Sequence, residues 1–203
     1  MPNKPKKTAL YDYHIANSNN VVDFSGFYLP VFYSGIIDEH RAVRKKAALF
    51  DVSHMGQLII SGKESEKFVQ TVTTNDVSKL NSGQAQYSAI CNELGGLIDD
   101  VIVYKRKSDY MIVVNASGIE KKYKWLKSAS TKSVQIENRS NELSMIAIQG
   151  PLSRKIIQAN TSVDISKLKF YNFIESIDFL GFTILLSRTG YTGELGFEIY
   201  CSN

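Results

Sequence analysis

Two aspartates stand side by side in the segment GGLIDDVIVYK, which otherwise has the composition of a buried strand. Ionised carboxylates are costly to bury without a partner, so Asp99 and Asp100 are the first candidates for chemistry. Successive side chains of a strand point to opposite faces, so these two carboxylates are not expected to form a dyad that shares one proton. Asp100 shares its face with Ile102 and Tyr104. A carboxylate beside an apolar and aromatic wall suits a heterocycle that carries N–H donors.

A structural role is the alternative for both aspartates. Either carboxylate could end a hairpin or pair with a neighbouring lysine or arginine. Periodicity alone favours this interpretation, because charged residues in strands are more often solvated than catalytic.

The segment SRTGYTGELGFE contains three glycines, which permit positive φ angles and close approach of the backbone. Its spacing matches neither a P-loop nor a dinucleotide-binding motif. The segment is either a tight loop between two strands or a loop that presents Tyr191 and Glu198 to a ligand. Spacing does not decide between these two interpretations.

The segment FDVSHMG contains Asp51, Ser53 and His54, the residue types of a hydrolase triad. A triad is defined by its geometry, and polar residues so close along the chain do not easily form one. The favoured interpretation is that Asp51 and Ser53 are turn or cap residues and that His54 packs nearby.

Composition excludes several function classes. Cys91 and Cys201 are far apart, and the three histidines have no zinc-binding spacing, so neither a disulfide framework nor a metal site is predicted. The net charge of +4 suits a polyanionic small ligand or an acidic partner and does not by itself indicate nucleic acid. The sequence has neither the apolar run of a membrane span nor a secretory signal, so a cytosolic location is predicted, with an organelle matrix after processing as the alternative.

The hydrophobic patterning predicts groups of strands with helices between them. Strands are predicted at 56–62, 85–92, 97–105, 109–116, 133–138, 143–150, 172–179, 182–188 and 196–201. Helices are predicted at 38–50, 63–74, 118–130 and 151–160. This order predicts an α+β fold with antiparallel or mixed sheets and flanking helices. Because the last strand ends with the chain, a part of a longer protein is expected.

Three segments occur in an order and at separations that composition does not explain. FDVSHMG, CNELGGLIDDVIVY and SRTGYTGELGFE closely resemble segments of the aminomethyltransferase family, the T-protein of the glycine cleavage system. The segments VVDFSGFYLPVFY, EHRAVRKKAALFD and IAIQGP are similar to the same family. The resemblance runs from about Thr8 to the last residue, and several motifs of six or more residues agree.

The resemblance implies a folate-binding aminomethyltransferase-like fold of three domains. Residues 1–55 would be the first part of a discontinuous domain 1, residues 56–142 an inserted domain 2, and residues 143–203 the truncated return to domain 1. The family's C-terminal barrel domain would be absent. We therefore expect weak activity, or none, from this chain alone.

The resemblance also implies an activity. Family members transfer a one-carbon unit from an aminomethyl group, carried on the lipoyl arm of the H-protein, to tetrahydrofolate, and they release ammonia. Tetrahydrofolate is the cosubstrate, and no metal is required because the transferred carbon already has the oxidation level of formaldehyde. The implied partners are the lipoylated H-protein and the other glycine cleavage components, with neither nucleic acid nor membrane. The implied location is the cytoplasm, or the mitochondrial matrix in a eukaryote.

The family's key aspartate is the second Asp of its IDD motif, which corresponds to Asp100. The resemblance implies that Asp100 orients the folate amine and stabilises developing positive charge, and that Glu198 accepts hydrogen bonds from the pterin N–H edge. The implied folate-binding residues are Met55, Tyr87, Asp100, Ile102, Tyr104, Asn115, Phe173, Tyr191 and Glu198.

Two alternatives remain within the resemblance. Folate-dependent demethylases of the same superfamily share much of the pattern and differ in the methyl donor. A folate-binding protein without transferase activity is the other alternative, but it predicts loss of Asp100, which is present.

Overall fold

The structure is a computed structural model that describes residues 4–203. The chain divides into two compact units. The first unit consists of the chain up to His54 together with Leu143–Asn203, and the second unit is Met55–Glu142. No helix among residues 4–203 is both long enough and apolar enough to cross a membrane.

Twelve named strands, five α-helices and a short 3-10 helix (Val77–Lys79) make up the described part of the chain. In chain order they are α1 (Tyr11–Asn17), β1 (Val21–Phe24), β2 (Phe27–Pro30), α2 (Ile36–Lys45), β3 (Ala48–Asp51), β4 (Gly56–Ser61), α3 (Ser65–Val72), β5 (Gln84–Cys91), β6 (Leu97–Lys105), β7 (Tyr110–Val114), α4 (Ile119–Ala129), β8 (Gln135–Asn138), β9 (Leu143–Gln149), α5 (Ser153–Gln158), β10 (Phe173–Phe179), β11 (Phe182–Ser187) and β12 (Gly196–Ser202).

The first unit contains a five-stranded antiparallel sheet in the order β10-β11-β12-β9-β3, and β1 and β2 form a separate hairpin. The inward side chains of the sheet, among them Leu186, Phe197 and Ile199, are buried in one cluster with Ile157 of α5. Burial of these apolar side chains is the main stabilising contribution to this unit.

The second unit contains a five-stranded antiparallel sheet in the order β5-β6-β7-β4-β8. Alternate residues of β4, β6 and β7 lie in one buried cluster with apolar residues of α3 and α4, including Val69 and Leu126. The period of two along each strand places one face on these helices. The other face therefore carries Asp100 and its alternate neighbours.

The predicted α+β fold with antiparallel sheets and flanking helices is confirmed. The helix predicted at 38–50 is wrong at its C-terminal end, because α2 ends at Lys45 and β3 follows it. β3 pairs with β9, with Ala48 opposite Gln149. This pairing joins segments about a hundred residues apart along the chain, so local periodicity does not reveal it.

Candidate active site

Asp100 is the exposed member of the acidic pair and lies near the start of β6. The Tyr87 hydroxyl donates a hydrogen bond to Asp100 Oδ2 at 3.1 Å, and the Asn115 carboxamide donates one to Asp100 Oδ1 at 2.7 Å. The sheet register explains this arrangement, because it sets Tyr87 opposite Ile102 and ends β7 one residue before Asn115. The structure therefore brings together Asp100, Tyr87 and Asn115, all of which the family resemblance implies as site residues.

Ile102 and Tyr104 share the face of Asp100. Val101 and Val103, which alternate with them along β6, belong to the core of the second unit. Ile102 is partly buried, whereas Tyr104 is fully buried. The aromatic residue that alternation places on the face of Asp100, Tyr104, thus has a buried ring. Tyr87, with 54% of its surface exposed, is the aromatic side chain that is open beside Asp100.

Asp99 is buried and forms an ion pair with Lys122 of α4, whose Nζ lies 2.6 Å from Asp99 Oδ2. The backbone N–H of Asn115 donates to Asp99 Oδ2 at 3.0 Å, and the Asn115 carboxamide donates to Asp99 Oδ1 at 2.9 Å. Lys122 Nζ also donates to the backbone oxygen of Asn115 at 2.8 Å. Pairing with a lysine, an alternative that the sequence left open, is therefore the arrangement of Asp99.

The two carboxylates are connected through one carboxamide. A carboxylate is only an acceptor, so the amide nitrogen of Asn115 must face both of them, with one N–H directed to Asp99 Oδ1 and the other to Asp100 Oδ1. Asn115 lies just beyond the last residue of β7 and so reaches carboxylates that leave β6 on different faces. The two carboxylates, which were not expected to form a dyad, therefore share one hydrogen-bond donor in Asn115.

Phe173 and Glu198 lie in one row across the sheet of the first unit, because Ser187 is opposite both of them. Both side chains are buried. The Thr189 hydroxyl contacts the Ser187 hydroxyl at 2.9 Å and donates a short hydrogen bond to Glu198 Oε2. Burial, followed by the charge of Glu198, raises the pKa of Tyr171. Glu198 is thus a hydrogen-bonded carboxylate within a packed sheet.

Tyr191 and Met55 occupy simpler positions. Tyr191 is fully exposed on the loop between β11 and β12. Met55 is partly buried at the start of the second unit, and its backbone oxygen accepts a hydrogen bond from Gln57 Nε2 at 2.9 Å.

The glycine-rich loop encloses the buried side chain of Gln149. A Cβ added at Gly190 or Gly196 would lie 2.1 Å from Gln149 Oε1. Gln149 Nε2 donates to the backbone oxygens on either side of the loop, and Gln149 Oε1 accepts from the Thr192 hydroxyl at 2.9 Å. These two glycines thus serve the packing of the loop, while Tyr191 projects from it.

The first unit has a cavity of about 260 Å³ beside this loop. Its lining residues are Phe170, Arg188, Thr189, Gly190, Gly193, Glu194, Leu195 and Gly196. None of the folate-binding residues that the resemblance implies lines this cavity.

Asp51 is a buried acceptor in the first unit. It accepts hydrogen bonds from the Ser53 backbone N–H (2.9 Å) and the Thr8 hydroxyl (2.7 Å), and its Oδ2 lies 2.8 Å from His14 Nε2. Burial acts to raise the pKa of Asp51, but the hydrogen bonds from Ser53, His14 and Thr8 outweigh it and hold the pKa below its ordinary value of 3.8. His14 Nδ1 in turn contacts the Tyr33 hydroxyl at 2.7 Å.

The interpretation of FDVSHMG is confirmed for Ser53 and His54, which lie in the turn after β3, whereas Asp51 is the last residue of β3. His54 packs edge-on against Phe24 and Phe27, with ring centroids 5.4 and 6.4 Å away. Burial lowers the pKa of His54, and the charge of Asp51 opposes this only in part. In the region 4–203, no group of three or more His, Cys, Asp or Glu side chains is arranged to hold a metal ion.

Sequence reasoning missed three residues that organise these sites: Lys122, Gln149 and His14. A signal for Lys122 was present, since it lies on the apolar stripe of α4 that also contains Ile119 and Leu126. For Gln149 and His14 the partners are distant along the chain, and the sequence contains no comparable signal.

One protein family and several curated proteins match this chain over almost its whole length. The sequence model of the family described as the GCVT N-terminal domain matches residues 10–203. The aminomethyltransferase of Caldanaerobacter subterraneus subsp. tengcongensis is 48% identical over 200 residues, which are 98% of this chain and 54% of that protein. The aminomethyltransferase of Halalkalibacterium halodurans is 45% identical over 197 residues, which are 97% and 54%. The chain spans about half the length of the curated relatives it matches.

Two solved structures resemble the fold. The glycine cleavage system aminomethyltransferase T from Bartonella henselae superposes with a TM-score of 0.86 at 28% identity, over 97% of this chain and 53% of that one. The heterotetrameric sarcosine oxidase from Corynebacterium sp. U-96 superposes with a TM-score of 0.58 at 15% identity, over 79% of this chain and 80% of that one. At that identity the second likeness shows the fold alone.

Proposed function

The chain belongs to the GCVT N-terminal domain family, and on this premise we propose that it provides the folate site of an aminomethyltransferase of the glycine cleavage system. The proposed reaction transfers the one-carbon unit of an aminomethyl-lipoyl group to tetrahydrofolate. The products are 5,10-methylenetetrahydrofolate, ammonia and the reduced lipoyl dithiol. Support comes from curated relatives that are named aminomethyltransferase and from the similar structure of a glycine cleavage protein.

The geometry of Asp100 is the observation that carries the proposal. The carboxylate is exposed, yet each of its oxygens has a fixed donor, Tyr87 on one and Asn115 on the other. A carboxylate fixed in this way is oriented before a ligand arrives, which lowers the cost of organising charge during reaction.

In the proposed mechanism the C–N bond to the leaving ammonia and the C–S bond to the lipoyl sulfur break in turn. N5 and N10 of the folate form the two new bonds to the carbon. Asp100 orients the folate amine and stabilises the positive charge that develops on the carbon and nitrogen. Placement of the two reactants contributes about 7–11 kcal/mol of barrier reduction where the alignment is good.

Glu198 is proposed to accept hydrogen bonds from the pterin N–H edge. A carboxylate accepts hydrogen bonds through both oxygens, and the Thr189 hydroxyl donates to Oε2 of Glu198. Pterin recognition by Glu198 would therefore take place at a carboxylate that the sheet already holds in position. The other residues proposed to line the folate pocket are Met55, Ile102, Tyr104, Phe173 and Tyr191.

The organisation of the chain and its partners are also proposals. Residues 1–55 and 143–203 are proposed to form a discontinuous domain 1, and residues 56–142 an inserted domain 2. The proposed partners are the lipoylated H-protein and the other glycine cleavage components. The proposed location is the cytoplasm, or the mitochondrial matrix in a eukaryote.

A coupled assay tests the function. The full-length natural polypeptide is supplied with aminomethyl-loaded lipoyl H-protein and tetrahydrofolate, and formation of 5,10-methylenetetrahydrofolate and ammonia is measured. Asp100→Asn is expected to lose most of the turnover and to keep its fold. Asp38→Asn is the matched control, because it makes the same chemical change at a side chain that is 78% exposed.

Three outcomes would overturn the proposal. Turnover of Asp100→Asn at the wild-type rate would remove Asp100 from the chemistry. Tetrahydrofolate binding without any transfer would indicate a folate-binding protein. Transfer from an N-methyl amine, with no use of the aminomethyl-lipoyl group, would indicate a folate-dependent demethylase.

A further inference from the structure

We propose that Lys122 is a positioning residue for Asp100. It acts on Asp100 through Asp99 and Asn115. This inference rests on the proposed function for the importance of Asp100, but the contacts that carry it lie within the second unit and need no ligand.

The first step is the ion pair between Lys122 and Asp99. The two side chains are 6% and 9% exposed, and Nζ lies 2.6 Å from Oδ2. A buried carboxylate remains ionised only when it has a charged or hydrogen-bonding partner. Lys122 supplies that charge, so that both oxygens of Asp99 act as strong acceptors.

The second step is the pair of hydrogen bonds that Asp99 accepts from Asn115. One Asp99 oxygen accepts the backbone N–H of Asn115 at 3.0 Å, and the other accepts its carboxamide at 2.9 Å. Lys122 adds a hydrogen bond to the backbone oxygen of the same residue at 2.8 Å. Both backbone polar groups and the side chain of Asn115 are therefore fixed, although β7 has already ended.

The third step is the contact of Asn115 with Asp100. With one carboxamide proton held by Asp99, the second proton is directed at Asp100 Oδ1, 2.7 Å away. Tyr87 alone would leave Asp100 with a donor on one oxygen, from a ring that is half exposed. The Asn115 contact is therefore the one that fixes the rotamer of Asp100.

The position of Lys122 on α4 supports this assignment. Lys121 and Lys124 of the same helix are exposed, whereas Lys122 faces the sheet beside apolar residues. A buried ion pair often contributes no more to stability than an apolar pair of similar size. A lysine at this position is therefore better explained by the orientation of Asn115 than by stability alone.

The test follows the side-chain amide protons of Asn115 by NMR in the chain without folate. We expect wild type to show two resolved, slowly exchanging protons, because each is held by a carboxylate. Lys122→Met is expected to speed their exchange by about tenfold or more and to move both resonances towards the positions of a solvated amide. Lys122→Arg retains the cation and is expected to preserve the wild-type signature. Lys124→Met is the matched control and is expected to leave Asn115 unchanged.

Lys122→Met leaves a buried carboxylate without a cation, so the measurement is repeated on Asp99→Asn/Lys122→Met, which has no buried charge at this site. The double variant is expected to fold and still to show the fast-exchanging Asn115 amide. Unchanged Asn115 resonances in a folded Lys122→Met protein or in the double variant would overturn the proposal.

Turnover in the full-length polypeptide gives a second measurement. The double variant is expected to lower kcat by roughly 10- to 100-fold with little change in the KM for tetrahydrofolate, because Asp100 is misplaced while the pterin contacts remain. An unchanged kcat would overturn the proposal. Absence of turnover in wild type would count against the proposed function, whereas the NMR result would still decide the role of Lys122.

Discussion

Asp99 in the second unit and Asp51 in the first unit are buried carboxylates that are stabilised in different ways. Asp99 in the second unit has the Nζ of Lys122 within 2.6 Å. Asp51 in the first unit has hydroxyl and backbone N–H donors and the ring of His14. Asp99 thus combines one cation with two N–H donors of Asn115, whereas the contacts of Asp51 come from Thr8, Ser53 and His14.

The difference also concerns what each carboxylate controls. Asp99 leads through Asn115 to an exposed carboxylate that can meet a ligand. Asp51 joins α1, β3 and the turn after β3, and its connections continue to Tyr33. One cluster therefore orients a reactive group, and the other fastens segments of chain together.

The largest expected effect is the loss of the cation in the second unit. Lys122→Met should lower the free energy of unfolding by about 3–5 kcal/mol, because a buried charge is left without its partner. Chemical denaturation followed by the fluorescence of Trp125, the single tryptophan, reports on this unit. Lys124→Met should change stability by no more than about 0.5 kcal/mol. Equal effects of the two variants would show that the ion pair carries no particular weight.

A smaller loss is expected in the first unit. Asp51→Asn keeps one acceptor oxygen but leaves at least one of its three donors without a partner, at a cost of about 1–3 kcal/mol. Hydrogen exchange of the backbone amides of β3 and β9 measures this local stability. A loss as large as that of Lys122→Met would contradict the contrast between a carboxylate that depends on a lysine and one that depends on hydrogen bonds from several residues.

The dependence of stability on pH should separate the two carboxylates further. The pKa of Asp51 is lower in the folded chain than its ordinary value of 3.8, so the folded chain is more stable with the ionised carboxylate than with the protonated one. This stabilisation is complete above the ordinary value and is lost as the pH falls through the lower, folded pKa. The protection of the β3 amides, measured relative to exchange in an unfolded chain at the same pH, should therefore decrease below about pH 4. Asp51→Asn should abolish that decrease, and its persistence in the variant would assign it to another group.

The smallest effect on stability is expected at Asp100. Because this carboxylate is exposed, Asp100→Asn should alter the free energy of unfolding by no more than about 0.5 kcal/mol while it removes most of the proposed turnover. Thermal and chemical unfolding of the variant measure the first quantity. A loss of stability comparable to that of Asp51→Asn would mean that Asp100 is a structural residue.

Elements with strong local patterns were predictable from sequence. The strand at 97–105 and the helix near 118–130 occur almost as predicted, because alternation in the first and an apolar stripe in the second are local properties. β3 was not predictable in this way. Its residues continue the helical spacing of α2, and only pairing with β9 makes them a strand.

The candidate site was predictable in part. Alternation alone separated Asp100 from Asp99, and the family resemblance supplied the other residues. The link between the two carboxylates was not predictable, because it depends on where β7 ends and on how Asn115 turns there. Pairing of Asp99 with Lys122 likewise requires the packing of α4 on the sheet, which no local pattern specifies.

The glycine-rich loop has a consequence for the reach of Tyr191. Hydrogen bonds from two residues hold the loop in place. Gln149 bonds to it from within, and Arg44 donates to the backbone oxygen of Thr192 at 2.7 Å. The backbone of Tyr191 is therefore held in place, and its ring can move only by rotation about its two side-chain torsions. A partner that binds this ring must therefore approach it where it stands. Insertion of even one residue into the loop would displace the backbone that carries Tyr191.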